Sequence, residues 1–156
     1  MTQQAGSPGG DFRGPRLEDR DFVSFDGARL GMQHWDAPGE PWAVVIGLHG
    51  MDDYSNTFHL AAEHWATDGI STYAFDLRGF GRSPQRGVWA AAGLMDDDLR
   101  AFAALIRQRF PRAIIAVAGS AWAGRWPSTP SHPTGHPRRI GWCCYHRRSG
   151  AGRASL

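Results

Sequence analysis

The chain has 156 residues, 42% of them apolar and 21% charged, with a formal net charge of +2. That length allows one domain with a sizeable core, and the composition is too apolar and aromatic for a wholly disordered chain. No apolar run is long enough to span a bilayer, and residues 1–20 lack the apolar stretch of a secretory signal. Adjacent Cys143 and Cys144 make neither a disulfide framework nor a CxxC metal knuckle. The expected compartment is the cytosol.

Charge is divided unevenly along the chain. All fifteen acidic residues lie at or before Asp98, in company with seven Arg, whereas ten Arg and no acid come after it. Beyond residue 120 there is one Ile, one Leu, no Val and no Phe. Such a tail buries too little apolar surface to offset its ordering entropy. The reading is therefore a disordered segment over 1–20, a globular unit over 21–119 and a disordered tail over 120–156.

In chain order, 22–25 and 30–35 read as two strands of a hairpin around the Asp26-Gly27 turn. The continuous apolar run 42–48 suits a strand buried on both faces of a mostly parallel sheet. Asn56 is a candidate cap for a helix over 57–67, with Phe58, Leu60, Ala61, Trp65 and Ala66 on one side and Asp68-Gly69 as its stop. A strand over 70–75 and a Gly/Arg/Ser/Pro loop over 76–87 come next. The spacing then predicts a helix over 94–110. Asp96, Asp97 and Asp98 stand near its positive end and Arg107 and Arg109 near its negative end, which fits the helix dipole better than a metal site. A buried strand over 113–118 closes the series. This order predicts an α/β fold: a mostly parallel sheet with an N-terminal hairpin and flanking helices.

Three strand ends carry the candidate chemistry. His49 and Gly50, followed by Met51, stand after the 42–48 strand, where glycine permits a sharp turn into the crevice above an open α/β sheet. After the next strand come Asp76, Arg78, Gly79, Gly81 and Ser83, a loop whose Asp and Ser can hydrogen-bond it internally. The third strand ends at Gly119, the position of a nucleophile elbow. The GxSxG pattern is broken there, because Ala121 fills the serine slot and Ser120 stands one residue early. His59 and His64 are five apart, not the four that would put two metal ligands on one helix face, and Asp52 and Asp53 read as a solvated loop. No metal or cofactor is expected.

These motifs, in this order over 22–119, resemble the N-terminal half of an α/β hydrolase, closest to the monoacylglycerol lipase and lysophospholipase-like serine hydrolases. The resemblance implies a small-molecule or lipid carboxylic ester as substrate, no cofactor, and the Met51 N–H as an oxyanion donor. It also implies a nucleophile at Ala121, where none stands, and an acid and a histidine on segments after residue 156. Epoxide hydrolases and dehalogenases share that fold but usually carry Pro two residues after the His-Gly pair, where this chain has an aspartate.

Codon overlaps suggest why the match stops. Joining the third base of each codon to the first two of the next forces Gly at Trp122/Ala123 and Ala at Trp126/Pro127. It forces Val, Leu and Leu across Trp142, Cys143, Cys144 and Tyr145. Residues from about Ser120 onward are thus expected to be a frameshifted translation, with the nucleophile codon left open. In a competing reading the chain is a non-enzymatic protein whose Arg138, Arg139, Arg147, Arg148 and Arg153, with Trp142 and Tyr145, bind nucleic acid nonspecifically. No specific nucleic-acid partner is expected.

Overall fold

The computed structural model describes residues 2–119 and, as backbone, 141–144. Its strands are β1 (Arg16–Leu17), β2 (Asp21–Val23), β3 (Arg29–Trp35), β4 (Ala43–Leu48), β5 (Ile70–Phe75), β6 (Ile114–Gly119) and β7 (Gly141–Cys144). A 3-10 turn over Ser55–Phe58 leads into α1 (His59–Thr67), and α2 (Ala92–Arg109) joins β5 to β6. The sheet runs β1-β2-β3-β5-β4-β6-β7. β1, β2, β3 and β5 pair antiparallel, while β5, β4, β6 and β7 pair parallel.

Side-chain alternation along the central strands decides which layer covers which face. Val44, Ile46 and Leu48 of β4, Tyr73 and Phe75 of β5, and Ile115 and Val117 of β6 point to one face, where Leu99, Phe102 and Ile106 of α2 pack. Phe22, Phe75 and Phe102 meet there with ring centroids 4.7–5.5 Å apart. The opposite face offers Ala74, Ala118 and Val45 to Phe58. The central strands are thus buried on both sides, as their unbroken apolar runs require. Each fully buried large side chain contributes about 1.5–3 kcal/mol, so the α2 face carries most of the packing.

The hairpin forms as its turn residues demand. Ser24 N–H bonds the Ala28 carbonyl at 2.8 Å across Gly27, whose φ of +81° is open to glycine. Four other expectations need correction. Asn56 caps nothing: the helix begins three residues later, after a 3-10 turn, with no side-chain cap. Leu60 is 65% exposed, because Phe58 and Ala62 take the buried positions of this layer. Asp96, Asp97 and Asp98 lie past the first turn of α2, which starts at Ala92 and has no acid there. Asp98 is buried, so the dipole does not explain it.

The fourth concerns both ends of the chain. Residues before Asp21 are not a disordered leader: they supply β1, and Gln3 is buried on the 85–90 loop. Gln3 N–H donates to the Trp89 carbonyl at 2.8 Å, and its side-chain amide donates to the Val88 carbonyl at 2.7 Å. A buried amide with all these partners is a firm tether. At the other end, composition alone predicts that the tail adds nothing to the sheet, yet Gly141–Cys144 pairs parallel with Ala116–Gly119. β6 is therefore paired from Ala116 to Gly119 instead of forming a bare edge there. The rest of the 120–156 tail, including the basic residues of the nucleic-acid reading, lies outside the described residues. Among those described, no helix is long and apolar enough to cross a membrane.

Candidate active site

Parallel pairing brings the motif-bearing strand ends together. Leu48 of β4 stands opposite Gly119 of β6, and Gly47 opposite Ala74 of β5. The His49-Gly50-Met51 loop, the loop from Asp76 and the end of β6 therefore share one end of the sheet, where open α/β folds bind ligands. Ser120 and Ala121 lie just beyond Gly119, outside the described residues.

His49 fastens two of these loops. It is buried, its Nδ1–H donates to the Gly50 carbonyl at 2.7 Å, and its Nε2 accepts the Leu77 N–H at 2.8 Å. Both ring nitrogens are used, so His49 holds structure and is not free to act as a base. Burial lowers its pKa, against the pull of the Gly50 carbonyl and the Asp76 and Asp53 charges. Because the folded state refuses a proton that the unfolded state accepts near pH ~6.5, stability is present above that pH and lost below it. Urea midpoints between pH 7.5 and 5 should fall for the native chain, with a slope approaching about 1.4 kcal/mol per pH unit. His49→Gln should flatten that part of the profile; an unchanged slope would show that His49 does not titrate with folding.

Asp76 organises the second loop from inside. Its Oδ1 accepts the Ser55 N–H at 2.7 Å, its Oδ2 the Arg82 N–H at 2.8 Å, and its backbone carbonyl the Ser83 Oγ–H at 2.6 Å. Gly81 has φ +53°, and a Cβ there would run into the Asp76 carboxylate; one on Gly79, at φ +85°, would run into the Val88 carbonyl. The glycines serve close backbone approach, and this motif is a structural turn at the end of β5.

Arg78 enters a buried ion cluster. Its guanidinium donates to both Asp26 oxygens at 2.8 and 2.9 Å and to both Asp98 oxygens at 2.7 and 2.8 Å. Ser24 Oγ–H donates to Asp98 at 2.5 Å, and Gly6 and Ala28 N–H groups donate to Asp26 at 2.9 and 3.1 Å. Burial pushes the Asp98 carboxyl up, against the pull of Arg78 and Ser24. Asp26 is desolvated too, but Arg78 and its two N–H donors prevail and hold it below the usual carboxylate range. This cluster ties the hairpin turn, the Asp76 loop and α2 into one piece.

Met51 is 47% exposed and is followed by Asp52 with φ +58°. Asp53 Oδ1 accepts the Tyr54 N–H at 2.9 Å, a local loop contact. Beside this loop, Phe80 lies edge-on between His49 and Trp89, with centroid distances of 5.6 and 5.7 Å. Gln3 thus reaches the His49 loop through Trp89 and Phe80, a link that residue spacing gave no sign of. His59 Nδ1–H donates to the Asn56 carbonyl at 3.0 Å, a local contact. Among the described residues no group of His, Cys, Asp and Glu could hold a metal.

A family model described as serine aminopeptidase, S33, matches residues 39–126. Among curated proteins, the monoacylglycerol lipase of Mycolicibacterium smegmatis is 31% identical over 70 residues, 45% of this chain and 25% of that protein. The chain thus spans about a quarter of the length of that relative. Among solved structures, a soluble variant of the Saccharomyces cerevisiae monoglyceride lipase superposes with a TM-score of 0.51 at 20% identity, over 75% of this chain and 39% of that one. A Xanthomonas campestris protein, described as an a/b serine hydrolase without lid, superposes at 0.57 and 17% identity, over 86% and 72%. At these identities the superpositions show the fold alone.

Proposed function

Because the chain belongs to the S33 serine aminopeptidase family of α/β hydrolases, we propose that its site is that of a carboxylic ester hydrolase, with acylglycerols or lysophospholipids as the substrate class. One observation carries the reading: the parallel pairing of Leu48 with Gly119, which sets the Met51 loop beside the end of β6. In that arrangement a serine at the end of β6 attacks the acyl carbon, a histidine takes its proton, and an acid orients the histidine. The Met51 N–H receives the charge that builds on the carbonyl oxygen. His49 and Asp76 hold the crevice walls and touch no reacting atom. The 31% identity to a monoacylglycerol lipase favours an ester over a peptide substrate.

In this chain Ala121 stands in the nucleophile slot, so we expect no ester turnover from it. The test is hydrolysis of p-nitrophenyl butyrate and of a monoacylglycerol, measured beside a version whose reading frame is restored after Gly119 and continued through downstream segments that carry the family's acid and histidine. Turnover should match buffer for the first protein and rise by orders of magnitude for the second. Turnover by the unrestored chain that Ser120→Ala abolishes would instead make Ser120 the nucleophile.

A further inference from the structure

Gly119 closes β6 beside Leu48, the strand end at which a GxSxG turn presents its serine. The next residues are Ser120, Ala121, Trp122, Ala123 and Gly124, which break that pattern. The break has the form of a one-base slip. Tryptophan has a single codon, TGG, and every alanine codon begins with GC, so the shifted overlap of Trp122 and Ala123 is GGC, glycine. With one base returned to the Gly119 codon, this glycine falls four residues after Gly119, the spacing that GxSxG requires. Between them, the Gly119/Ser120 overlap ends in TC when Ser120 is a TCN codon, and encodes Phe, Leu, Ile or Val. The Ser120/Ala121 overlap ends in GC and encodes serine when the Ser120 codon is TCA. The Ala121/Trp122 overlap ends in TG and encodes Leu, Met or Val. With TCA at Ser120, one missing base converts an intact elbow into the residues found here.

The sheet places four residues of the same tail beside β6, against the expectation that a frameshifted tail adds no strand to it. Gly141–Cys144 pairs parallel with Ala116–Gly119 and so occupies the outer edge of β6. In the shifted register the same stretch, from Gly141 to Tyr145, encodes an aliphatic residue or Met and then Val, Leu and Leu without choice. The residues as they stand, Ile140 to Tyr145, are also an unbroken apolar run, so a parallel strand suits either register. The only forced run of three apolar residues in the shifted tail thus coincides with the strand that extends the sheet. The ten Arg and absence of acid after residue 99 mark the same discontinuity.

We infer that the coding sequence has lost one base at the Gly119 codon, and that returning it puts a serine nucleophile at the end of β6 and a Val-Leu-Leu strand on its outer edge. The inference rests on the hydrolase reading above and deepens it by assigning the nucleophile.

Sequencing the coding DNA from codon 119 to codon 147 tests it first. The expected result is TCA at Ser120 and a shifted register without a stop codon throughout. Any other codon at Ser120, or a stop in that register, overturns the inference and leaves the family assignment standing. The second arm expresses the base-restored gene and treats the protein with a fluorophosphonate, then maps the labelled peptide. Labelling is expected on the serine two residues after Gly119, with none on the unrestored chain. A TCA codon with an unlabelled restored protein would keep the lost base and overturn the nucleophile.

Discussion

Arg78→Met should destabilise the protein by about 3–5 kcal/mol, a large share of the about 5–15 kcal/mol that a domain holds in reserve. The substitution keeps most of the side-chain volume and removes the one cation that neutralises two buried carboxylates, Asp26 and Asp98. Leaving those charges unpaired is the expensive part, because neither can reach water. The pH profile should change with it. Without Arg78 both carboxyls have folded pKa values above their unfolded ones, so the variant is favoured when they are protonated and loses stability as pH rises. Urea midpoints of native and variant protein should therefore converge toward pH 4 and diverge toward pH 7. A gap that does not change with pH would show that lost packing, and not the buried charges, sets the penalty. Arg78→Lys should recover little, since an ammonium cannot serve both carboxylates with forked donors.

Distance along the chain separates the features that were legible in the sequence from those that were not. The Asp26-Gly27 hairpin and the apolar runs of β4, β5 and β6 were legible because turn chemistry and periodicity are local. The internal hydrogen bonding of the Asp76 loop was legible for the same reason, with donor and acceptor six and seven residues apart. The Arg78 cluster was not: its partners stand 52 and 20 residues away, and the three adjacent aspartates suggested a simpler dipole role. Gln3 reaches Val88 across 85 residues, so a polar, Gly-containing N-terminus read as disorder. β7 was passed over because its stretch is short and lies among arginines and prolines. The short apolar run Ile140–Tyr145 was its one local signal, and the composition of the whole tail outweighed it.

Met51→Pro, made in the base-restored enzyme, should lower kcat by about 10²–10³-fold, the range for removing one oxyanion-hole donor. Proline keeps the chain but deletes the N–H that this site is proposed to aim at the substrate oxygen. Met51 is half exposed on a loop three residues past Leu48, so no described packing depends on its side chain. Met51→Ala retains the N–H and should stay within a few-fold of the unsubstituted enzyme. The two substitutions therefore separate backbone from side chain at one position. KM should change little in either, because charge on the oxygen develops only on the way to the transition state. Thermal unfolding of both variants guards against a proline that simply breaks the loop, which Asp52, with its positive φ, makes sensitive to backbone change. A folded Met51→Pro enzyme with kcat reduced less than tenfold would remove Met51 from the oxyanion site, and the donor would then have to come from another loop at the same end of the sheet.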